Sequence, residues 1–187
     1  IRIQYGNRVL IQNASIDLHK NEVCAITGPN GSGKSSLLWH LAGDKPDLSQ
    51  VALVPQIATD LLFLSSLRQE LQESDTYSQV ESGTTGKLFE SLVGRIDPSV
   101  HPRDLSTGQQ LALVLAMQLT KNAPVILLDE PTRGLDHQAR TELAQQLLRL
   151  RSQGKSILIT SHDLDFVKSI ADRTLEIRNQ ELVEAVK

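Results

Sequence analysis

Eight consecutive residues, Gly28-Pro29-Asn30-Gly31-Ser32-Gly33-Lys34-Ser35, spell GxxxxGKS. Glycines so placed let the chain turn back with its N–H groups facing inward. Those groups, with the start of a following helix, surround an anion. Asn30, Gly31, Ser32, Gly33, Lys34, Ser35 and Ser36 are therefore the candidate phosphate-binding set. Lys34 is placed to reach the β and γ phosphates of a nucleoside triphosphate, and Ser35 to set its hydroxyl on Mg²⁺. A second run, Val125-Ile126-Leu127-Leu128-Asp129-Glu130, buries four apolar residues and delivers two carboxylates at its end. Asp129 is placed to hold Mg²⁺. Glu130 points the other way by strand alternation and is placed to polarise an attacking water. Gln56 follows Pro55 and the apolar stretch 51–54, and His162 follows the apolar stretch 157–160. Alone, Gln56 reads as a turn residue and His162 as a surface histidine. Beside a complete phosphate loop both become site candidates.

The elements that must position these groups follow from apolar periodicity. Residues 23–27, 51–54, 125–128 and 157–160 read as buried strands, and 36–42 as the helix after the phosphate loop. Alternation at 1–4 and again at 15–18 predicts short N-terminal β pieces. Residues 61–94 favour short helices broken by polar loops, with 82–85 loop-like and 97–104 an exit loop carrying Pro98 and Pro102. Ser106 is a good cap for a helix through Leu119, and 137–150 is a helix with Ala139, Leu143, Leu147 and Leu150 on one face, stopped by Gly154. Residues 174–183 predict a hairpin turning near Asn179 and Gln180. Strands alternating with crossover helices give an α/β layered class. The expected organisation is one domain over 1–187: a core over about 1–60 and 121–187, with a helical lobe inserted over about 61–120.

Composition narrows the function classes. The 187 residues are 40% hydrophobic and 22% charged, a globular mix with room for one ordinary domain. The formal charge of −3 argues weakly against a nucleic-acid partner. One cysteine, Cys24, excludes an internal disulfide and a multi-cysteine metal site, and inside its apolar strand it reads as a small core residue. The longest apolar run, 111–117, is too short to cross a bilayer. No signal peptide is visible, and the chain opens on Ile1 rather than Met, which fits a piece of a longer polypeptide. His19, His40, His101 and His137 carry no functional reading.

The motifs taken together resemble the nucleotide-binding domain of the ATP-binding cassette (ABC) family, a P-loop NTPase fold with a RecA-like core, an antiparallel β lobe and an inserted helical lobe. Leu105-Ser106-Thr107-Gly108-Gln109 is similar to the family signature LSGGQ, Asp129-Glu130 to the end of its Walker B strand, Gly134-Leu135-Asp136 to its D-loop, His162 to its switch histidine and Gln56 to its Q-loop glutamine. The resemblance covers nearly the whole chain, in family order. It implies ATP and Mg²⁺ as cofactors, with Ser35, Gln56 and Asp129 at the metal. Glu130, His162 and Gln56 would be the catalytic set. Ser106 and Gly108 would contact the γ phosphate of ATP held mainly by a second cassette, Gln109 would belong to the same nucleotide-binding set, and Asp136 would help join the two sites. Tyr5 stands where the family places an aromatic against adenine, although it also reads as a residue packed on the sheet. Gln56 would further link the site to the helical lobe, which touches a transmembrane partner.

Two features depart from the pattern. Thr107 replaces the first glycine of LSGGQ, which a β-branched residue can do only where the backbone is already helical. Only 22 positions separate Lys34 from Gln56, so the β lobe must be reduced, with 44–50 a loop. Residues 131–136, PTRGLD, and 66–71, SLRQEL, resemble the ATPase components of energy-coupling factor importers, which carry a vitamin or transition-metal ion. That subclass implies a second cassette, identical or different or on the same polypeptide, and a transmembrane coupling protein, with this chain peripheral at the cytoplasmic face of the membrane. The alternatives are another ABC importer or exporter, or a soluble ABC protein acting on ribosomes or DNA.

Overall fold

The computed structural model describes residues 1–5, 8–43 and 51–185, without the side chains of Tyr5 and Arg8. The expected loop at 44–50 lies outside them. A six-stranded sheet runs in the order β4 (Val51–Val54), β5 (Val125–Asp129), β6 (Ser156–Thr160), β3 (Val23–Thr27), β7 (Arg173–Arg178), β8 (Glu181–Glu184). The first five are mutually parallel, and β8 returns antiparallel to β7. Asn179 and Gln180 both take positive φ, 50° and 66°, as a tight hairpin turn between right-twisted strands requires. A separate antiparallel pair joins β1 (Ile3–Tyr5) to β2 (Arg8–Ile11). This pair is the only second sheet among the described residues.

Strands buried on both faces explain the continuous apolar runs. Ile126, Leu128, Ile157 and Ile159 face one cluster, packed by α4 (Thr107–Thr120), α5 (His137–Ser152) and α6 (Leu164–Ile170). Cys24, Ile26, Leu127 and Leu158 face the other, closed by Leu37 and Leu38 of α1 (Lys34–Ala42). Cys24 is fully buried, and burial pushes its thiol up to about 11. The inserted segment supplies α2 (Leu67–Tyr77) and α3 (Thr84–Val93), which pack with α4. Buried Asp75, near the end of α2, accepts the Gly83 and Thr85 N–H groups at 2.6 and 2.8 Å and the Thr85 hydroxyl at 2.6 Å, fixing the start of α3.

Three expectations change. Residues 15–18 form no strand: the segment lies beside the sheet, with the Ala14 N–H donating to Ile1 O and Asp17 O accepting from Arg173, but it meets no ladder. The strand facing β1 is instead Arg8–Ile11, which periodicity alone passes over. Thr84 and Thr85 belong to α3: the Ser-Gly-Thr-Thr run at 82–85 reads as loop by itself, and Asp75, several residues earlier, supplies the acceptor that lets a helix start there.

Candidate functional site

The carboxyl ends of β3, β4, β5 and β6 lie side by side, and each hands its next residues to one edge, where open α/β folds bind ligands. The loop after β3 is Gly28–Gly33. Gly28 has φ +145°, and a Cβ there would come within 3.1 Å of Ile177 O. Gly33 has φ +102°, and its Cβ would meet Leu10 Cβ at 3.0 Å. Neither position accepts a side chain. Gly33 gives α1 no capping group, whereas Ser66, Asp75, Ser106, Asp136 and Asp163 serve the first turns of the other five α-helices. The first N–H groups of α1 therefore stay available to an anion.

Lys34, 7% exposed, donates from Nζ to Gly28 O at 2.9 Å and Pro29 O at 3.2 Å, and stands 3.7 Å from Glu130 Oε1. A buried ammonium held by two loop carbonyls is a charged donor that can exchange them for the oxygens of an anion. Ser32 Oγ is buried with no hydrogen-bond partner among the described residues, which also fits a loop built to wrap an oxygen-rich ligand.

The two carboxylates diverge sharply. β5 ends at Asp129, and Glu130 enters a left-handed turn with φ +47°. That turn, rather than strand alternation, aims its side chain. The β5–β6 register sets Asp129 opposite Thr160, whose hydroxyl donates to Asp129 Oδ1 at 2.6 Å. The Glu130 N–H donates to Thr160 O at 3.0 Å and Thr160 Oγ1 at 3.2 Å. Glu130 Oε2 lies 2.7 Å from His162 Nδ1 and accepts the His162 N–H at 3.2 Å. His162 and Glu130 thus hold each other across the gap between two strand ends.

A cavity of ≈ 510 Å³ gathers Asn30, Gly31, Gly33, Lys34, Ser35, Ser36, Gln56, Glu130 and His162. Asp129, which is buried, and Ser32, which is half-buried, are not among the residues that line it. Two residues that the sequence did not single out also line it. Leu10 adds an apolar surface beside Gly33, and Arg133 adds a second cation. Arg133 follows Glu130 by one tight turn, its N–H donating to Glu130 O at 3.1 Å. Its position three residues after the carboxylate was the available signal.

Ser106, Gly108 and Gln109 lie elsewhere, along a cleft of ≈ 230 Å³ that includes Leu135 and Ala139. Ser106 Oγ accepts the Gln109 N–H at 3.3 Å, and Gln109 Oε1 accepts the Ser106 N–H at 3.0 Å, a complete capping box. Thr107 is the first residue of α4 and has no positive φ, so the threonine is accommodated without strain. Asp136 caps α5 through the Ala139 N–H at 2.8 Å. Tyr5 belongs to β1, and its side chain lies outside the described atoms, so the adenine reading for it stays an expectation.

A phosphate loop, a paired-acid strand end and a helix-capping signature on one parallel sheet define a P-loop nucleotide-binding class of protein. The family profile described as ABC transporter matches residues 11–133. The chain belongs to the ABC transporter family. A putative ABC transporter ATP-binding protein of Streptomyces avermitilis is 33% identical over 203 residues, covering 98% of this chain and 36% of its own. The chain therefore spans about a third of the length of that relative. The zinc import ATP-binding protein ZnuC of Hydrogenovibrio crunogenus is 32% identical over 190 residues, covering 91% of this chain and 74% of its own. Among solved structures, the dimeric post-hydrolysis state of an ATP-binding cassette bound to ADP and Pi superposes with a TM-score of 0.82 at 23% identity, over 98% of this chain and 94% of that one. That likeness establishes the fold.

Proposed function

We propose that this chain binds Mg²⁺–ATP in the 510 Å³ cavity and hydrolyses it as one cassette of a pair, powering transport across a membrane. One observation carries the reading: Lys34, Glu130 and His162 converge on a cavity floored by an uncapped helix N-terminus. Lys34, Ser32 and the N–H groups of the loop would hold the phosphates. Ser35 and Gln56, which line the cavity, and buried Asp129 at the end of β5 would offer oxygen ligands to Mg²⁺, which would neutralise phosphate charge. Glu130 would take the proton of the attacking water, and His162 would keep that carboxylate aimed.

The separation of Ser106, Gly108 and Gln109 from this cavity supports the pair. Those residues would complete the γ-phosphate environment of a second cassette, with Asp136 at the joint. Family membership and the import named for ZnuC support the transport role, and the PTRGLD and SLRQEL runs favour an energy-coupling factor importer of a metal ion or vitamin. Among the described residues no helix is long and apolar enough to cross a membrane. A separate transmembrane coupling protein would bear that part, with segment 61–120 as the helical lobe that meets it and 1–60 with 121–187 as the core. The chain would lie against the cytoplasmic face.

Calorimetry with ATP and Mg²⁺ tests the site. Lys34→Ala removes a buried charge donor to phosphate, worth about 1.5–3 kcal/mol, so affinity should fall by about tenfold to a hundredfold. Equal affinity in a folded Lys34→Ala protein would overturn the assignment. Turnover per chain should rise with protein concentration or on adding the partner cassette.

A further inference from the structure

We propose that Arg140 is a positioning residue that ties the loop at 133–136 to the turn carrying His162, so that contact of a second cassette with this loop sets the geometry at Glu130. The inference rests on the ATPase reading above.

One side chain spans two elements. From the first turn of α5, Arg140 Nε donates to Leu135 O at 3.2 Å, and its Nη1 donates to Asp163 Oδ2 at 3.0 Å. Asp163 is itself held firmly. Its Oδ1 accepts the Phe166 N–H at 3.0 Å, and its own N–H donates to Ser161 Oγ at 3.1 Å. Asp163 directly follows His162, and His162 holds Glu130 Oε2 through Nδ1 and N–H. Leu135, Arg140, the 162–163 turn and Glu130 therefore form a continuous chain of contacts.

The other side of the loop is also held. Gly134 has φ +75°, and a Cβ there would lie 3.3 Å from Thr107 Cγ2. The branch that replaces a signature glycine thus packs against this loop. The loop sits between the start of α4, which would face a second cassette, and the guanidinium that reaches the histidine turn.

The contact suits transmission better than folding stability. The Arg140 side chain is 46% exposed and that of Asp163 17%, a setting in which an ion pair adds little to global stability. Its value is geometric. A guanidinium offers separate N–H vectors to two acceptors, whereas an ammonium offers one point charge. Lysine can keep the pairing with Asp163, but its donors all sit on one nitrogen, whereas Arg140 reaches Leu135 O and Asp163 from two separate nitrogens, Nε and Nη1.

The test compares wild type, Arg140→Ala and Arg140→Lys in the intact protein with its cassette partner, by steady-state ATP hydrolysis, ATP calorimetry and amide hydrogen exchange. Loss of the tether should lower kcat by about tenfold to a hundredfold, as small misplacements of reacting groups do, with KM and ATP affinity within about twofold of wild type. Arg140→Lys should fall with Arg140→Ala. Exchange in segments 133–136 and 161–164 should rise together in both variants. An Arg140→Ala protein with kcat within about twofold of wild type overturns the proposal, as does faster exchange confined to one segment or a fall in ATP affinity that matches the fall in kcat. A wild type that binds no ATP overturns the nucleotide reading instead, and the exchange experiment then decides the tether alone.

Discussion

Glu130→Gln separates chemistry from binding most cleanly. Glutamine keeps the length of the side chain and, like glutamate, must accept the left-handed turn at φ +47°, so the backbone cost is common to both. What changes is charge. Glu130 is 6% exposed and stands 3.7 Å from Lys34 Nζ, a gross attraction of about 4 kcal/mol at an effective dielectric near 20. Most of that is offset by desolvation. Lys34 keeps the Gly28 and Pro29 carbonyls, and the glutamine oxygen can still accept from His162. The net loss of stability should be about 1–2 kcal/mol, a few degrees in Tm for a chain of this size. Turnover should respond far more. A general base contributes about 10²–10⁴ in rate, or roughly 3–5 kcal/mol of barrier. ATP affinity should hold or tighten, because a negative charge leaves the neighbourhood of the phosphates. Phosphate release at saturating MgATP, calorimetry and a melting curve on the same sample give all three numbers. Turnover within about tenfold of wild type would refute the assignment and move the role of aligning water to another group.

Two further outcomes follow from the structure. Burial works to raise the Asp75 carboxyl, and donors from Thr85, Gly83 and Thr84 more than offset it, holding the pKa below the ordinary aspartate value. A depressed folded pKa gives stability that is present above the unfolded pKa and lost as pH falls through the folded one. Asp75→Asn should cost about 2 kcal/mol at neutral pH, and the gap in Tm from wild type should close as pH drops below the usual aspartate range. A gap independent of pH would refute the electrostatic account. Ser106→Arg places bulk and charge at the start of α4 and should abolish the rise of turnover with protein concentration while ATP binding survives. A concentration series with calorimetry on the same preparation checks it, and a surviving rise removes Ser106 from the joint.

Much of this architecture was legible because it is local. The phosphate loop needs eight adjacent residues, and β3, β5 and β6 announce themselves as apolar runs because both faces of the sheet are covered. Ser106 was readable as a cap from its own side chain and the glutamine three residues on. What escaped depends on partners far away in the chain. Thr160 looks like the last residue of a strand until register sets it against Asp129, 31 positions earlier. Arg140 reads as a solvated helix residue until α5 meets the turn before α6. Helix α6 itself has only seven residues, too few for periodicity, although Asp163 is a cap that could have flagged it. The segment 15–18 shows the reverse error. Its alternation is real, but a strand exists only where another chain segment offers a ladder.

The same logic bears on why the signature residues can serve two ends. In the single chain, Ser106 and Gln109 satisfy each other at an exposed helix start, and Asp136 satisfies α5. Each side chain has a modest local role, worth about 1 kcal/mol as a cap. A neutral cap is weaker than a charge-assisted hydrogen bond to phosphate. Under the paired-cassette reading, the N–H groups at the start of α4 would pass from the Ser106 hydroxyl to a partner-held γ phosphate at small cost and larger gain. The start of α1 is different. Gly33 gives it no cap to displace, so its ligand is met without competition. The two helix starts thus differ as a binding site and a closing site should. Under that reading the first would be open for ATP to enter, and the second would be held by an exchangeable cap until a loaded partner arrives. Such an order would couple hydrolysis to pairing, because the last donors reach the phosphate only when the second cassette is in place.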